Sequence, residues 1–389
     1  MLYFIIISIF SPSIWITSSV NINLFDFLPF FMLLDIILNK KTDFYFYDEE
    51  KTILFVFFVF TFILLLSTWI AFLYFEGQTI NTFLQLYRRI ISFIFIPFYI
   101  FNYEEINLKK IFFFISIIAL SVGVIGELIN FIPWLREILL YKIVSNQQIV
   151  VSNFWRNMGF TGEGSYFANV IIITLFINIF FETKWKYFFI VSLFLIILTT
   201  FSKSVLASFI VTIILYFIYI KRTHYLIGYF IIGGMSIFIL IWYLDLFEVM
   251  NEYFTSRAES SLEGRTNYIW IKVLDFIGSE NITYLTGLGF KGLKYYADVA
   301  GAHNQYLSLF ANFGIFSLFY LWVFFIFIPF SIYKISKNPI FIFLAILFMI
   351  ECLVHEPLTH TQVIALYIFV FVIIIKFYLK VNYEKSFNP

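Results

Sequence analysis

Apolar runs close to twenty residues long recur along almost the whole of this 389-residue chain. A helix needs about 20 such residues to cross the roughly 30 Å hydrocarbon core of a bilayer, so each run reads as a span. Lipid offers no partner to a free backbone amide, and each span must therefore be helical. Composition agrees: 62% of the residues are hydrophobic and only 13% charged, with 57 Phe, against about 25% charged in a soluble domain. Hydropathy places about twelve spans, near 2–17, 21–38, 53–75, 83–101, 111–131, 166–181, 187–201, 204–220, 225–244, 305–333, 339–355 and 361–379. The expected fold is all-α, a polytopic transmembrane helical bundle forming one integral membrane domain over 1–389. Two long loops, 132–165 and 245–304, interrupt it and are expected to carry short amphipathic helices.

Charge sets the orientation. Short loops after even-numbered spans hold eleven cations: Lys40, Lys41, Lys51, Lys109, Lys110, Lys184, Lys186, Lys221, Arg222, Lys334 and Lys337. Those after odd-numbered spans hold one, Lys203. By the positive-inside rule both termini are expected in the cytoplasm and both long loops outside. Met1–Phe10 lacks the basic start of a cleaved signal, so the first run is expected to stay in the protein. A net charge of +1 leaves no basic face for nucleic acid. The single cysteine, Cys352, excludes a disulfide framework, and no Cys/His cluster has zinc spacing.

Chemistry is then expected on the outer side. Thirteen of the 49 charged residues fall in loop 245–304. Within it Ile269, Trp270, Val273, Leu274 and Ile277 share one helical face suited to an interface. Arg257 and Arg265 precede that face, and His303 enters the next span. Guanidinium groups grip phosphate bidentately and keep their charge, and a histidine can take a proton near neutral pH. Arg88 and Arg89 sit roughly 8–9 Å along a helix entered from outside, at about 1.5 Å per residue, a costly depth that by default marks function. Solvated loop charges and snorkelling are the bland readings of these arginines. His355 and His360, in a short outer turn, and the cytoplasmic His224 are read as structural. Gly287-Leu288-Gly289 is too weak a signal for a nucleotide fingerprint, since no strand–helix unit is expected here.

The run Arg257…Gly264-Arg265…Trp270…Gly287-Leu288-Gly289…His303-Asn304-Gln305-Tyr306-Leu307…Asn312-Phe313-Gly314-Ile315 resembles the O-antigen polymerase and O-antigen ligase superfamily. A second segment, Arg156-Asn157-Met158-Gly159-Phe160-Thr161-Gly162-Glu163-Gly164-Ser165, is similar to the Arg-x-x-Gly…Glu-Pro-Ser segment of many polymerases, with Gly164 where proline is usual. Ser202-Lys203-Ser204 is a third match. The resemblance implies a glycosyltransferase on the outer leaflet of a bacterial cytoplasmic membrane, inverting, metal-independent and without a cofactor. Its donor would be an oligosaccharide on undecaprenyl diphosphate, and a chain-length regulator protein would be a possible partner besides membrane lipids. The resemblance makes His303, Arg265 and Arg257 the expected catalytic residues, and Arg88, Arg89, Arg156, Glu163, Lys203 and Asn304 the expected substrate-binding ones. The Glu163 segment favours a polymerase. A ligase passing the glycan to lipid A-core is the alternative, and a lipid-linked sugar transporter a distant one, since no internal repeat of the kind transporters carry is present.

Overall fold

The protein is represented by a computed structural model that describes residues 1–15, 21–39, 46–74, 80–103, 106–132, 150–151, 154–155, 157–161, 163–200, 202–220, 270–279, 281–289, 293 and 302–387. It is all-α. The helices are α1 (Leu2–Ile9), α2 (Leu28–Leu38), α3 (Asp48–Tyr74), α4 (Thr82–Phe101), α5 (Leu108–Phe131), α6 (Gly164–Phe180), α7 (Lys186–Thr199), α8 (Lys203–Tyr219), α9 (Ile271–Ser279), α10 (Asn281–Thr286), α11 (Gln305–Ser336), α12 (Ile340–Glu351) and α13 (Thr361–Phe387). Among the described residues, strands occur as two short antiparallel pairs, Ile14–Trp15 with Asn21–Ile22 and Val150–Val151 with Phe154–Trp155. Among the described residues, five helices, α3, α4, α5, α11 and α13, are long and apolar enough to cross a membrane, and α6, α7, α8 and α12 are shorter apolar helices.

The outer surface of the bundle is itself apolar. Phe55, Phe58 and Leu73 on α3, Val191 on α7 and Leu318 and Phe330 on α11 are all exposed. So much exposed apolar area would aggregate in water and is what lipid covers. The protein is a membrane protein, with α13 at its centre. Val363–Ile375 is buried all round, as a helix apolar on every face must be, and α13 packs against α1, α4, α5, α6 and α11.

Two helices carry the same break. The hexapeptide Phe-Ile-Phe-Ile-Pro-Phe occurs at 93–98 and at 325–330. In both, a π-helical segment, Ile91–Phe95 or Val323–Phe327, ends just before the Ile-Pro pair. Pro97 and Pro329 have no N–H to give to the preceding turn, and the widened turn absorbs the loss without ending the helix.

The N-terminal region departs from the two spans expected at 2–17 and 21–38. α1 has 8 residues and α2 has 11, about 12 and 17 Å at 1.5 Å per residue, too short to cross. The cause is local. Pro12 follows Ser11 beyond the end of α1, and the strand pair then turns the chain back. Asn23 and Asp26 form a reciprocal cap that starts a new helical turn at Leu24. The span expected at 225–244 lies outside the described residues, as do 261–269 of the amphipathic helix. The rest of that helix is α9, which buries Val273 and Ile277 and exposes Ile271 and Leu274.

Buried polar contacts tie the helix ends into two groups. At one end, Lys376 of α13 donates to the Phe101 carbonyl ending α4 at 2.6 Å and pairs with Glu50, near the start of α3, at 3.2 Å. At the other, the starts of α6, α11 and α13 and the end of α12 meet around residues 351–361. The glutamates and histidines of the molecule's polar cluster lie at this second end.

Candidate functional site

The turn between α12 and α13, Cys352–His360, is clamped from several sides. Gln305, at the start of α11, donates its backbone N–H to the Cys352 carbonyl at 2.8 Å, and its side-chain oxygen accepts from the Leu358 amide at 2.9 Å. The Tyr320 hydroxyl donates to the Leu358 carbonyl at 2.5 Å. Arg89, 1% exposed, donates to the Thr359 carbonyl from α4. A short turn fixed at so many points holds its side chains in place, as a reactive centre requires.

Those side chains form a chain of acids and imidazoles. His355 Nε2 lies 3.0 Å from Glu163 Oε1, and its Nδ1 faces Glu351 Oε1 at 3.7 Å. Glu351 is fully buried, and Asn169 donates to it at 2.8 Å while also donating to the Ser165 carbonyl. Glu163 is 39% exposed and forms the solvent side of the chain. Tyr166 packs its ring against His355 and stacks on His360 at 4.3 Å. Glu356 accepts from the Ser308 hydroxyl at 2.6 Å and from the His303 amide at 2.9 Å.

The electrostatics follow from burial and from these partners. Burial pulls the His355 pKa down, but the Glu163 hydrogen bond and the carboxylates of Glu163, Glu351 and Glu356 outweigh it, and the net shift is upward. His360 has no such carboxylate in hydrogen-bond contact; burial dominates and lowers it to about 3. Burial raises Glu356, against the Ser308 hydrogen bond and the His355 charge. Two imidazoles on one tyrosine ring thus have opposite shifts, the pattern that separates proton-handling roles.

The residues singled out in the sequence divide among several places. Glu163 is in this cluster, and Arg89 reaches the turn that carries it. His303 enters the same neighbourhood through its backbone. Its side chain is exposed, and its φ of 51° puts it in the left-handed region, sparsely used by residues with a side chain and recurrent at functional sites. Asn304 caps α11, accepting from the Leu307 amide at 3.0 Å and donating to the Leu353 carbonyl at 3.0 Å. Lys203 opens α8 with its side chain exposed. Arg88 points elsewhere: it grips Asp26 with two bonds of 2.7 Å and Asn21 with bonds of 3.0 and 2.9 Å. Arg156, Arg257 and Arg265 lie outside the described residues.

Gly287-Leu288-Gly289 has a scaffold role. The amides of Leu288 and Gly289 donate to the Ala311 and Asn312 carbonyls at 2.8 Å, where α11 breaks at Gly314. Gly287 has a φ of +67°, and a Cβ there would stand 2.3 Å from the backbone of Asn312 and Phe313. The glycine is needed for this close approach.

His355, His360, Glu351 and Glu356 were not expected at the site. One signal was available: two of the chain's four histidines and two glutamates fall within 351–360, with Glu351 and His355 four apart, where a helical turn aligns them.

Among families of known proteins, residues 187–322 match the family model described as O-antigen ligase. No curated protein matches the chain. The matched stretch runs from the start of α7 to α11 and includes His303 and the Gly287 turn, and over it the chain is similar to the O-antigen ligase family, in line with the resemblance read from its motifs.

Proposed function

We propose that this protein is an O-antigen polymerase, joining undecaprenyl-diphosphate-linked repeat units at the outer leaflet of the cytoplasmic membrane. The reading rests on one observation: a clamped cluster of buried carboxylates and imidazoles at one end of an apolar bundle, beside a family match that covers the approach to it. Glycosyl transfer needs what such a cluster offers. The hydroxyl oxygen of the acceptor sugar attacks the anomeric carbon of the donor, its proton goes to a base, and the lipid diphosphate leaves with the bonding pair. Arg265 and Arg257 stabilise the leaving diphosphate electrostatically, and Arg156 and Arg89 are second-rank candidates for the same task. His303, exposed and bonded through its backbone amide to Glu356, orients the acceptor hydroxyl. Arg88 is held by Asp26 and contributes to the scaffold. The reaction is inverting and independent of metal and cofactor, and the site faces the periplasm, opposite the lysine-rich loops.

The Gly162-Glu163-Gly164-Ser165 segment favours the polymerase, and the matched family's description favours the second reading, a ligase that passes the glycan to lipid A-core. Gene deletion followed by electrophoresis of the surface polysaccharide separates them. A polymerase leaves a single repeat unit on lipid A-core and no ladder. A ligase leaves lipid A-core bare while polymer accumulates on the carrier lipid. An unchanged ladder would overturn both.

A further inference from the structure

Taking the glycosyl-transfer reading as its basis, we propose that Glu163 accepts the proton of the acceptor hydroxyl and that His355, held between Glu163 and Glu351, carries that proton inward. The geometry supplies each part. Glu163 is the member of the chain that solvent reaches, so a hydroxyl entering from outside meets its carboxylate first. His355 Nε2 stands at hydrogen-bond distance behind it, 3.0 Å away. Glu351, 0% exposed and fixed by Asn169, faces Nδ1 on the inner side. A carboxylate on each side of one imidazole fixes its ring and stabilises the imidazolium that forms when it takes a proton.

The step balances without a further reactant. As the acceptor oxygen bonds to the anomeric carbon, its proton moves to Glu163, and the bond from that carbon to the diphosphate oxygen breaks with the electron pair leaving on the diphosphate. The proton passes to His355 Nε2 and returns to solvent through Glu163 before the next cycle. His303 remains the orienting group. Glu163 touches substrate and is the catalytic residue; His355 and Glu351 act through it and are positioning residues.

The chain starts the cycle with a neutral His355, so its ionisation sets the pH dependence. The groups facing it are Glu163 before α6, Glu351 at the end of α12 and Glu356 on the turn. Tyr166 of α6 lies against its ring, His360 stacks on Tyr166, and Arg89 of α4 reaches the neighbouring Thr359. The three carboxylates more than offset burial and move the His355 pKa above 6.5. Transfer should therefore rise with pH through a value above 6.5.

The test uses the full-length protein purified in detergent, with undecaprenyl-diphosphate-linked repeat units, and reads initial rate per folded molecule against pH. Glu163→Gln should lower kcat by about 100-fold or more, the usual worth of a general base, with little change in KM, and Glu163→Asp should recover part of it. His355→Gln, which keeps a hydrogen-bond donor beside Glu163, should lower kcat and flatten the pH profile. Glu351→Gln removes a carboxylate that raises His355 and should shift the rise toward lower pH. Melting temperature and monodispersity of each variant separate misfolding from lost chemistry, and the pH shift of Glu351→Gln is a readout that a purely structural role would leave in place. A Glu163→Gln rate within about tenfold of the wild type, short of the roughly 10²–10⁴-fold that a general base is worth, or an unshifted profile in Glu351→Gln, overturns this inference alone. Failure of the wild type to join the repeat units overturns the glycosyl-transfer reading on which it stands.

Discussion

Replacing Asp26 by Asn should strand the Arg88 guanidinium in the protein interior. Arg88 and Asp26 are buried, with side chains 3% and 7% exposed. Their two bonds of 2.7 Å form a bidentate fork, and Asn21 accepts two more through its side chain and carbonyl. Asparagine keeps the shape and, with its oxygen turned to the Asn23 amide, the cap, but it sets an NH2 group against the Arg88 Nε–H and removes the charge that balances the guanidinium. Breaking one partner of a buried ion pair typically costs about 3–5 kcal/mol, because the other is left uncompensated. Removing both charges is often near neutral, so Arg88→Met combined with Asp26→Asn should cost less than either single change. The assay is equilibrium unfolding in mixed micelles, followed by far-UV circular dichroism, for the wild type, both singles and the double. Two results would refute the argument: a double variant that costs the sum of the singles, or an Asp26→Asn variant with unchanged stability and a weakened donor KM. The second would return Arg88 to the diphosphate.

Gly287→Ala should destabilise by about 1–3 kcal/mol, the range for a strained backbone position, since its φ is +67° and the added Cβ meets the Asn312–Phe313 backbone; wild-type melting behaviour would show that the turn can move away from α11. His360 has a folded pKa near 3 against 6.5 in the open chain. The stability this gives is full above 6.5 and is lost as pH falls toward 3, so His360→Phe, which keeps a ring against Tyr166, should flatten the acid side of the melting profile. An acid limb identical to the wild type's would rule that out. Arg265→Ala should abolish polymer and Arg265→Lys restore only part, because an ammonium lacks the bidentate fork. His303→Ala should lose polymer at normal protein levels, while His303→Gln, still a hydrogen-bonder, should retain some. Reporter fusions after Lys110 and Lys337 should report cytoplasm, and fusions near Gly159 and Ser279 the opposite side; a reversed pattern would place the cluster on the wrong face for an outer-leaflet donor.

Much of the architecture was legible in the linear chain because the signals behind it are local. A bilayer demands a long apolar helix wherever a long apolar run occurs, and the runs over α3, α4, α5, α11 and α13 became helices of spanning length. The N-terminal pair failed for an equally local reason that hydropathy does not weigh. Pro12 and the Asn23–Asp26 cap cut the helices where the apolar average stayed high. The motifs singled out Glu163, His303 and Asn304, and of these the structure sets the side chain of Glu163 in the acid–imidazole cluster.

What the tertiary structure decided is which ends of the bundle meet. Glu163 and His355 are 192 residues apart and Asn169 and Glu351 182 apart, joined only because the start of α6, the end of α12 and the start of α13 converge on one side. A histidine in a nine-residue turn looks the same in a sequence whether it faces solvent or two carboxylates. The arginine pair shows the same limit from the other direction: Arg88 and Arg89 are neighbours with identical chemistry and depth, yet successive positions on a helix point about 100° apart. That angle sends one guanidinium to Asp26 and the other to the Thr359 carbonyl beside the cluster. Composition and period determine that helices form and that lipid surrounds them, whereas the pairing of distant side chains depends on packing that no single segment encodes.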